Sequence, residues 1–439
     1  MWSPDRSAWK VNPVVARDSA LAVAALAVAV GAGLARADGP DPAGVRAMTN
    51  EPISPIPELA PPRQAPPAVV EMVGHIRRTW QLARPYLPEI TEDFYNLLFT
   101  LAPTTRDFFP ASLQAEQGRT LRALVHVLHM VDRPDDLAPF LHELGRDYRK
   151  FDARPDHYEA VGTALLAALK RWLDDAWTPE VERAWAEAYT LVARSMQDAA
   201  EEYRHQPPYW RATVAEHYRL GRDLALIRVE PEEPIPYRAG QYFSVEVPQR
   251  PRLWRHLSPA NAPRPDGSLE FHVRAVDGGW VSRAIVGHTR QGDEWRIGPP
   301  LGGLHVDREA GYPVLMIAGG TGVAPLQALV DELGRFVTNP PVTFFYGGRT
   351  RADLYALDQV RGLAATNPWL TVRPVVEHPD GMPGFEHGTL AEAVTRRGPW
   401  ADHDVLVSGS PGMIKGTVSR MLVAGTALHQ IRYDPFALD

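Results

Sequence analysis

Residues 317–325 read Ile-Ala-Gly-Gly-Thr-Gly-Val-Ala-Pro, and this stretch decides the fold of the C-terminal part of the chain. It follows the apolar run 314–318 and precedes a segment, 326–333, whose apolar residues recur at helical spacing. Glycines at a strand-to-helix turn let the main chain approach a pyrophosphate, and the helix N-terminus attracts its charge. Taken alone the stretch also fits a tight turn that binds nothing, but its flanking elements favour a dinucleotide site. The predicted contacts are Gly319, Gly320, Thr321, Gly322, Val323, Ala324 and Pro325.

Two further apolar runs, 342–346 and 405–407, extend the strand pattern. Strands that are apolar throughout are buried on both faces, which is typical of a parallel sheet covered by helices. Residues 312–439 are therefore predicted to form an α/β domain, with the dinucleotide site at its glycine-rich turn; the family resemblance described below implies NAD(P) as that dinucleotide. Gly409 and Met413 follow the last run, at the sheet edge where such folds bind ligands. Near the end of the chain, Phe436 is an aromatic candidate to cover a planar ring, or a core residue.

Residues 208–308 carry a different pattern. Leu269, Phe271 and Val273 alternate with polar residues, which predicts an antiparallel sheet, here a small β-barrel. Two stretches in it suit a flavin. The first offers a cation for a phosphate and a hydroxyl for a ring nitrogen of the flavin. The second is a glycine loop whose main-chain amides suit a pyrophosphate. The residues concerned are Arg255, His256, Leu257 and Ser258, and then Gly279, Trp280, Val281 and Ser282.

Residues 69–204 are predicted to be all α-helical. Apolar side chains recur at helical spacing over 121–131, 161–172 and 181–196. Thr178 and Pro179 are a typical N-cap and first helical residue for the last of these helices. Residues 1–68 form an N-terminal extension that ends in a proline-rich linker.

Composition narrows the chemistry. The chain has 439 residues, enough for two or three domains, and a net charge of −7, which argues against a nucleic-acid-binding surface. It contains no cysteine, which excludes disulfides, thiolate haem ligation, thiol catalysis and cysteine-ligated iron–sulfur clusters. Any electron transfer therefore depends on flavin or haem.

The N-terminus has two interpretations. Three basic residues precede the apolar run 20–35, as in an export signal. The run is short for a membrane span, so we expect no stable membrane insertion. The alternative is a start at Met48, and we favour it with a cytoplasmic location because nicotinamide cofactors are supplied inside the cell.

The order of the motifs over residues 208–439 resembles the ferredoxin-reductase family of FAD and NAD(P)H modules. That resemblance implies that Arg255 and Ser258 bind the flavin, Gly279 and Ser282 its pyrophosphate, and residues 319–325 with Gly409 and Met413 the nicotinamide nucleotide. Tyr242 resembles a further flavin contact, with a half-buried strand residue as the equal alternative. Leu257 replaces the family's stacking aromatic and Ser408 its cysteine, which implies a looser flavin and an altered hydride-transfer geometry.

The helical part resembles the globin domain of flavohaemoglobins, the family that joins a haem globin to this reductase. The resemblance implies haem b, with O₂ and NO as ligands of the haem. It places Tyr95 and Gln117 on the distal side, Phe109 against the haem face and Tyr158 in support of the proximal side.

The resemblance fails at the proximal ligand. Where the family has a histidine, this chain reads Gly145-Arg146-Asp147-Tyr148, so a tyrosine occupies the ligand position. Imidazole permits ferrous iron that binds O₂, whereas a phenolate favours ferric iron. Three alternatives follow: Tyr148 ligates the iron, a nearby histidine such as His157 replaces it, or the domain holds no haem. For His157 a surface or capping contact is the favoured role.

Two functions remain open at this point. In the first, NADH or NADPH reduces FAD, FAD reduces haem, and NO is converted to nitrate with O₂. In the second, the chain is a flavin reductase whose globin-like domain senses, docks or supports. Arg349 and Arg351 are positioned to meet a 2′-phosphate or to be plain surface residues, and we lean to NADH.

Overall fold

The computed structural model describes residues 67–110, 113, 134–378 and 383–434. The described chain forms a helical part, an antiparallel barrel and a parallel α/β sheet, in that order. This confirms the predicted three-part fold class.

Five helices make up the described helical part. Four of them begin with proline. Proline has no main-chain N–H, and an N–H at the first helical position would have no partner within the helix in any case. Thr178 caps the last one as predicted, since its hydroxyl accepts a hydrogen bond from the Val181 amide at 3.4 Å. Trp185 is fully buried at the centre of the core and donates to the Thr79 hydroxyl at 3.0 Å. The helices are α1 Pro67–Ala83, α2 Leu87–Leu101, α3 Pro134–Tyr148, α4 Pro155–Leu173 and α5 Pro179–Glu202.

The predicted helical spacing over 161–172 and 181–196 corresponds to α4 and α5. The pattern over 121–131 lies outside the described residues, as does the apolar run 20–35. Among the residues that are described, no helix is both long and apolar enough to cross a membrane.

The barrel is a six-stranded antiparallel sheet of order β4-β3-β6-β1-β2-β5. A bridge between Pro259 and Phe271 joins the two edges of the sheet and nearly closes the barrel. Its inward residues include Phe243, Phe271 and Trp295, all fully buried, as the alternating pattern predicts. The elements are β1 Trp210–Arg219, β2 Leu224–Pro231, β3 Tyr242–Glu246, β4 Arg255–Leu257, β5 Leu269–Arg274, α6 Trp280–His288 and β6 Glu294–Leu301.

The C-terminal sheet is parallel throughout, with order β10-β9-β8-β7-β11-β12. Because β7 pairs with β8 on one side and β11 on the other, the strand order reverses at β7, and a crevice opens at its carboxyl end. The elements are β7 Val314–Gly319, α7 Val323–Leu333, β8 Val342–Gly348, α8 Leu357–Thr366, β9 Leu370–Val376, β10 Glu386–His387, α9 Leu390–Arg397, β11 Asp404–Ser408, α10 Pro411–Val423 and β12 Ile431–Arg432.

Candidate active site

A cavity of about 890 Å³ lies between the barrel and the carboxyl edge of the parallel sheet. We call it the nucleotide cavity. It is bounded by His256, Leu257 and Ser258 of the barrel, by the turn after β7, and by the loop 408–413 after β11. Three motifs that are far apart in the sequence therefore face one space. The cavity is large enough for the reacting rings of two cofactors to meet in it.

The glycines of the turn are required by backbone packing as well as by ligand approach. A Cβ on Gly322 would lie 2.3 Å from the Ser408 carbonyl oxygen, so the turn and the β11 loop touch through main chain alone. Gly320 has φ +55°, a left-handed conformation that favours glycine, and no heavy atom within 4 Å of its Cβ position. That open side leaves main-chain N–H groups accessible for a pyrophosphate.

Val323 belongs to the motif but not to the cavity. Its side chain is fully buried in the core under α7, and it is absent from the cavity lining. The Val323 side chain therefore faces the core, which leaves only its main chain for the predicted contact with the nucleotide. Gly319, Gly320, Thr321, Gly322, Ala324 and Pro325 do line the cavity.

Met413 fills the space between the two glycine loops. A Cβ on Gly409 would lie 2.2 Å from its methyl carbon, and one on Gly319 would lie 2.8 Å away. The Thr417 hydroxyl donates to the Met413 sulfur at 3.4 Å and holds the side chain in place. Gly409 and Met413 thus meet at the mouth of the β7 crevice, where the nicotinamide end of the nucleotide was expected.

The flavin motif on β4 is only partly on the cavity. His256, Leu257 and Ser258 line it, whereas Arg255 does not and donates to the Trp254 carbonyl at 2.6 Å. Tyr242 is fully buried and packs edge-on against the His256 ring, with the ring centroids 5.1 Å apart. Tyr242 therefore supports the flavin motif from behind.

The predicted pyrophosphate loop begins helix α6. Gly279 is the N-cap, and the Ser282 hydroxyl closes the loop by accepting from the Val276 amide at 3.3 Å. Trp280 is 56% exposed, while Val281 is buried in the barrel core, so a side-chain contact of Val281 with FAD is excluded. None of the four predicted loop residues lines the cavity, although the neighbouring Val276 does.

Sequence reasoning missed several polar residues of the cavity, among them His272 and Arg274 of β5. The His272 ring lies between the Tyr355 hydroxyl at 2.9 Å and the Glu270 carboxylate at 3.1 Å. The hydrogen bond from His272 lowers the pKa of Glu270, and burial raises the pKa of Tyr355. The alternation over 269–274 points both residues out of the barrel, but only the neighbouring domain turns that outer face into a cavity wall.

In the globin part, the predicted distal residues come together. The Tyr95 ring lies 5.3 Å from that of Phe109, edge-on, and both contact Phe99. Gln117 and, at the other end of the chain, Phe436 lie outside the described residues.

On the predicted proximal side, a tyrosine occupies the position where the family has a histidine. Tyr148 is the last residue of α3, is 3% exposed and packs 5.1 Å from the Phe151 ring. Tyr158 is buried nearby in the same core, its carbonyl accepts from the Tyr189 hydroxyl, and burial raises the pKa of Tyr158 to about 12. At the family's ligand position the chain therefore offers a phenol oxygen.

His157, the histidine considered as a substitute ligand, lies at the start of α4. Its Nδ1 accepts from the Arg154 amide at 3.2 Å, and its Nε2 lies 3.1 Å from the Thr104 hydroxyl. Both ring nitrogens are thus engaged at the start of α4, as expected for a capping residue. Among the described residues, no group of three or more His, Asp or Glu side chains is arranged to hold a metal ion.

The residues of the reductase part and those of the globin part differ in how they fit the expected cofactors. Open glycine main chain, a hydroxyl and a cavity fit FAD and a nicotinamide nucleotide. In the globin core, Tyr95 and Phe109 pack against each other, and the residue at the ligand position, Tyr148, suits ferric iron.

Comparisons with known proteins agree with this architecture. The chain matches the globin family over residues 92–196, the oxidoreductase FAD-binding domain over 211–306 and the oxidoreductase NAD-binding domain over 316–419. This order of domains defines an NAD(P)H-dependent flavin oxidoreductase joined to a globin.

Similar proteins share the whole arrangement. A flavohemoprotein of Deinococcus radiodurans is 32% identical over 331 residues, which cover 70% of this chain and 79% of the relative. One of Rhodopirellula baltica is 27% identical over 378 residues, 79% of this chain and 92% of the relative. The chain therefore belongs to the flavohaemoprotein family. The crystal structure of a Malassezia yamatoensis flavohemoglobin with bound FAD and heme shares the fold, with a TM-score of 0.71 and 21% identity over 83% of this chain and 98% of that one.

Proposed function

We propose that the chain takes hydride from NAD(P)H onto FAD and passes the electrons to haem in the globin domain, for the conversion of NO to nitrate with O₂. The observation that carries the reductase part is the nucleotide cavity, where Ser258 of the flavin motif and the glycine turn line one space. Hydride transfer requires the two rings in contact, and a preformed cavity holds them so without further reorganisation.

Each part of the cavity has a separate task in this proposal. The Ser258 hydroxyl orients the flavin ring by a hydrogen bond, and the main chain of 319–322 holds the nucleotide pyrophosphate. Gly409 and Met413 set the position of the nicotinamide. Leu257 covers the flavin with an aliphatic side chain, which stacks more weakly than an aromatic ring.

In the globin domain, haem when bound supplies the iron at which O₂ and NO react. Tyr95 is the hydrogen-bond donor of the distal side. Tyr158 supports the proximal side as a neutral phenol, and burial, which raises its pKa to about 12, keeps it so in alkaline solution as well. NO consumption by the purified protein with NADH in aerobic buffer tests this part. Nitrate formation matched to NADH oxidation is the expected result.

Tyr148 favours a second candidate. Because a phenolate stabilises ferric iron, a chain with Tyr148 at the ligand position fits a flavin reductase whose globin domain is Tyr-ligated or haem-free and serves as a sensing, docking or structural module. The absorption spectrum separates the two candidates. A Soret band that shifts with dithionite and CO supports the first, and a flavin spectrum alone supports the second.

NADH is the proposed electron donor, with a cytoplasmic location where that donor is supplied. Two carboxylates, Asp353 and Glu377, line the cavity beside Arg349, while Arg351 lies against the Phe385 ring and does not line it. Carboxylates suit the free 2′-hydroxyl of NADH and repel a 2′-phosphate. A lower Michaelis constant for NADPH than for NADH would overturn this preference.

A further inference from the structure

Two charged side chains are fully buried where the globin domain meets the barrel. Asp147 and Lys150 form an ion pair at 2.7 Å with 1% and 0% of their side chains exposed. The other oxygen of Asp147 accepts a hydrogen bond from the Ser244 hydroxyl of β3 at 2.7 Å. We call these three residues the junction cluster. It connects the helix end that carries Tyr148 to the middle of a barrel strand.

Joining two domains through buried charges costs free energy of folding. Removing two charges from water opposes folding, and well-packed apolar side chains often stabilise as much or more. A buried polar cluster instead permits only one arrangement of the two domains, because any shift of one domain on the other leaves a charge without its partner. The junction cluster is thus better suited to fixing an orientation than to adding stability.

The barrel is shaped to receive the carboxylate. A Cβ on Gly298 of β6 would lie 2.3 Å from the Ser244 hydroxyl and 3.3 Å from the bonded oxygen of Asp147. Only glycine at position 298 leaves room for the Asp147–Ser244 hydrogen bond. The fit therefore involves both β3 and β6.

The cluster reaches the flavin motif through an aromatic residue. The Lys150 ammonium lies 4.7 Å from the centre of the Trp254 ring and 5.2 Å from that of Phe151. Trp254 directly precedes β4, and Phe151 packs on Tyr148. The residues on either side of the junction cluster thus belong to the two sites that exchange electrons in the proposed function.

Further contacts run along the same face of α3. Glu143 accepts from the Gly302 amide at 3.2 Å, and Arg146 donates to the Pro300 carbonyl at 3.1 Å. Gly302 in turn lies against Tyr242, since a Cβ on it would be 2.7 Å from that ring. The helix is therefore held at several points to the end of β6.

We propose that Asp147 is a positioning residue: together with Lys150 and Ser244 it fixes the end of α3, and with it Tyr148, in one orientation on the flavin barrel. The consequence for electron passage rests on the proposed function, because the rate of that step falls steeply with the separation of the two groups. The docking itself does not depend on haem.

The test removes the interdomain bond alone. Ser244→Ala deletes the donor from β3 and leaves the Asp147–Lys150 pair intact. Asp147→Asn with Lys150→Met removes both charges, keeps an amide oxygen that accepts from Ser244, and keeps the aliphatic chain on Trp254. Asp107→Asn is the matched control, because its pair with Arg252 also joins the two domains, at 3.0 Å, but is 75% and 46% exposed.

Two readouts are taken on each purified full-length variant. Anaerobic rapid mixing with NADH follows FAD reduction and then reduction of the globin domain. Hydrogen exchange followed by mass spectrometry reports the opening of 143–151 and 242–246, and needs no haem.

Ser244→Ala is expected to keep the rate of FAD reduction and to slow reduction of the globin domain severalfold. It should raise exchange in both segments by about 10- to 150-fold, the range that one lost hydrogen bond to a charged group implies. The Asp107→Asn control is expected to behave like the parent protein. The Asn/Met variant keeps an interdomain hydrogen bond but loses the charges, so it is expected to raise exchange less than Ser244→Ala does. Unchanged exchange in Ser244→Ala, or an equal slowing of FAD reduction, would overturn the proposal. A chain without haem would refute the conversion of NO proposed above, and the exchange data would still decide the docking.

Discussion

Replacing Gly322 by alanine tests the nucleotide site most directly. The new Cβ would lie 2.3 Å from the Ser408 carbonyl oxygen, 2.4 Å from its carbon and 2.5 Å from the Gly409 nitrogen. Ordinary contacts of carbon are about 3.5–4.0 Å, so the methyl overlaps three atoms by more than about 1 Å. All three are main-chain atoms at a strand end, and they cannot turn aside as a side chain would. The turn and the β11 loop must therefore separate.

Overpacking of this kind costs about 1–3 kcal/mol, which corresponds to a loss of about 5- to 150-fold in affinity if it is expressed in nucleotide binding. We expect the Michaelis constant for NADH to rise within that range, with the FAD content unchanged because the barrel is untouched. Steady-state oxidation of NADH by ferricyanide measures it, and thermal unfolding shows that the variant is folded.

Gly362→Ala is the control. Gly362 lies inside α8 with no heavy atom within 4 Å of its Cβ position, so alanine should stabilise the helix by about 0.5–1 kcal/mol and leave the Michaelis constant unchanged. A folded Gly322→Ala variant with the parent Michaelis constant would show that the turn and the loop do not form the nucleotide site.

Three other predictions concern the cofactors and the globin domain. Leu257→Tyr should tighten FAD by about 0.5–1.5 kcal/mol, or about 2- to 10-fold, because an aromatic ring stacks on the flavin where leucine does not; fluorescence titration of the apoprotein measures it, and an unchanged affinity would place the flavin elsewhere. Tyr148→His should give ferrous haem that binds CO in protein reconstituted with haem, and a variant with no CO spectrum would show that position 148 does not face the iron. Burial lowers the pKa of His157, so the unfolded chain binds more protons below about pH 6.5, and the free energy of unfolding should fall as the pH drops through that value. Denaturant titrations of His157→Gln should show a shallower fall. An equally steep fall would assign the pH dependence to other groups.

The patterns that predicted the fold are local ones. The alternation at Leu269, Phe271 and Val273 and the continuous run before Gly319 each reflect one strand and the faces it buries, so a short window suffices to detect them. Such local patterns do not show which residues of a motif reach the ligand. Val281 and Val323 belong to stretches of the right composition, yet each occupies the position that its helix turns toward the core. A motif records which residues are adjacent in the chain, and burial then selects those that reach the ligand.

Residues that act between domains leave no such pattern. Asp147 and Ser244 are 97 positions apart, and each is an ordinary polar residue within its own element. The same holds for His272, whose partner Tyr355 comes from the neighbouring domain. Their pairing depends on how the completed domains pack, which no periodicity of a single strand or helix encodes.

The docking of the globin part and the predicted ligand position can be separated, because they use different residues of one helix. Glu143, Arg146 and Asp147 of α3 make the polar contacts to the barrel, whereas Tyr148 turns into the globin core against Phe151. A substitution at position 148 therefore alters the side chain at the predicted ligand position and leaves the contacts of Glu143, Arg146 and Asp147 in place. For this reason a failure of Tyr148→His to gain ferrous chemistry would count against the haem site itself, since the contacts between α3 and the barrel would be unchanged.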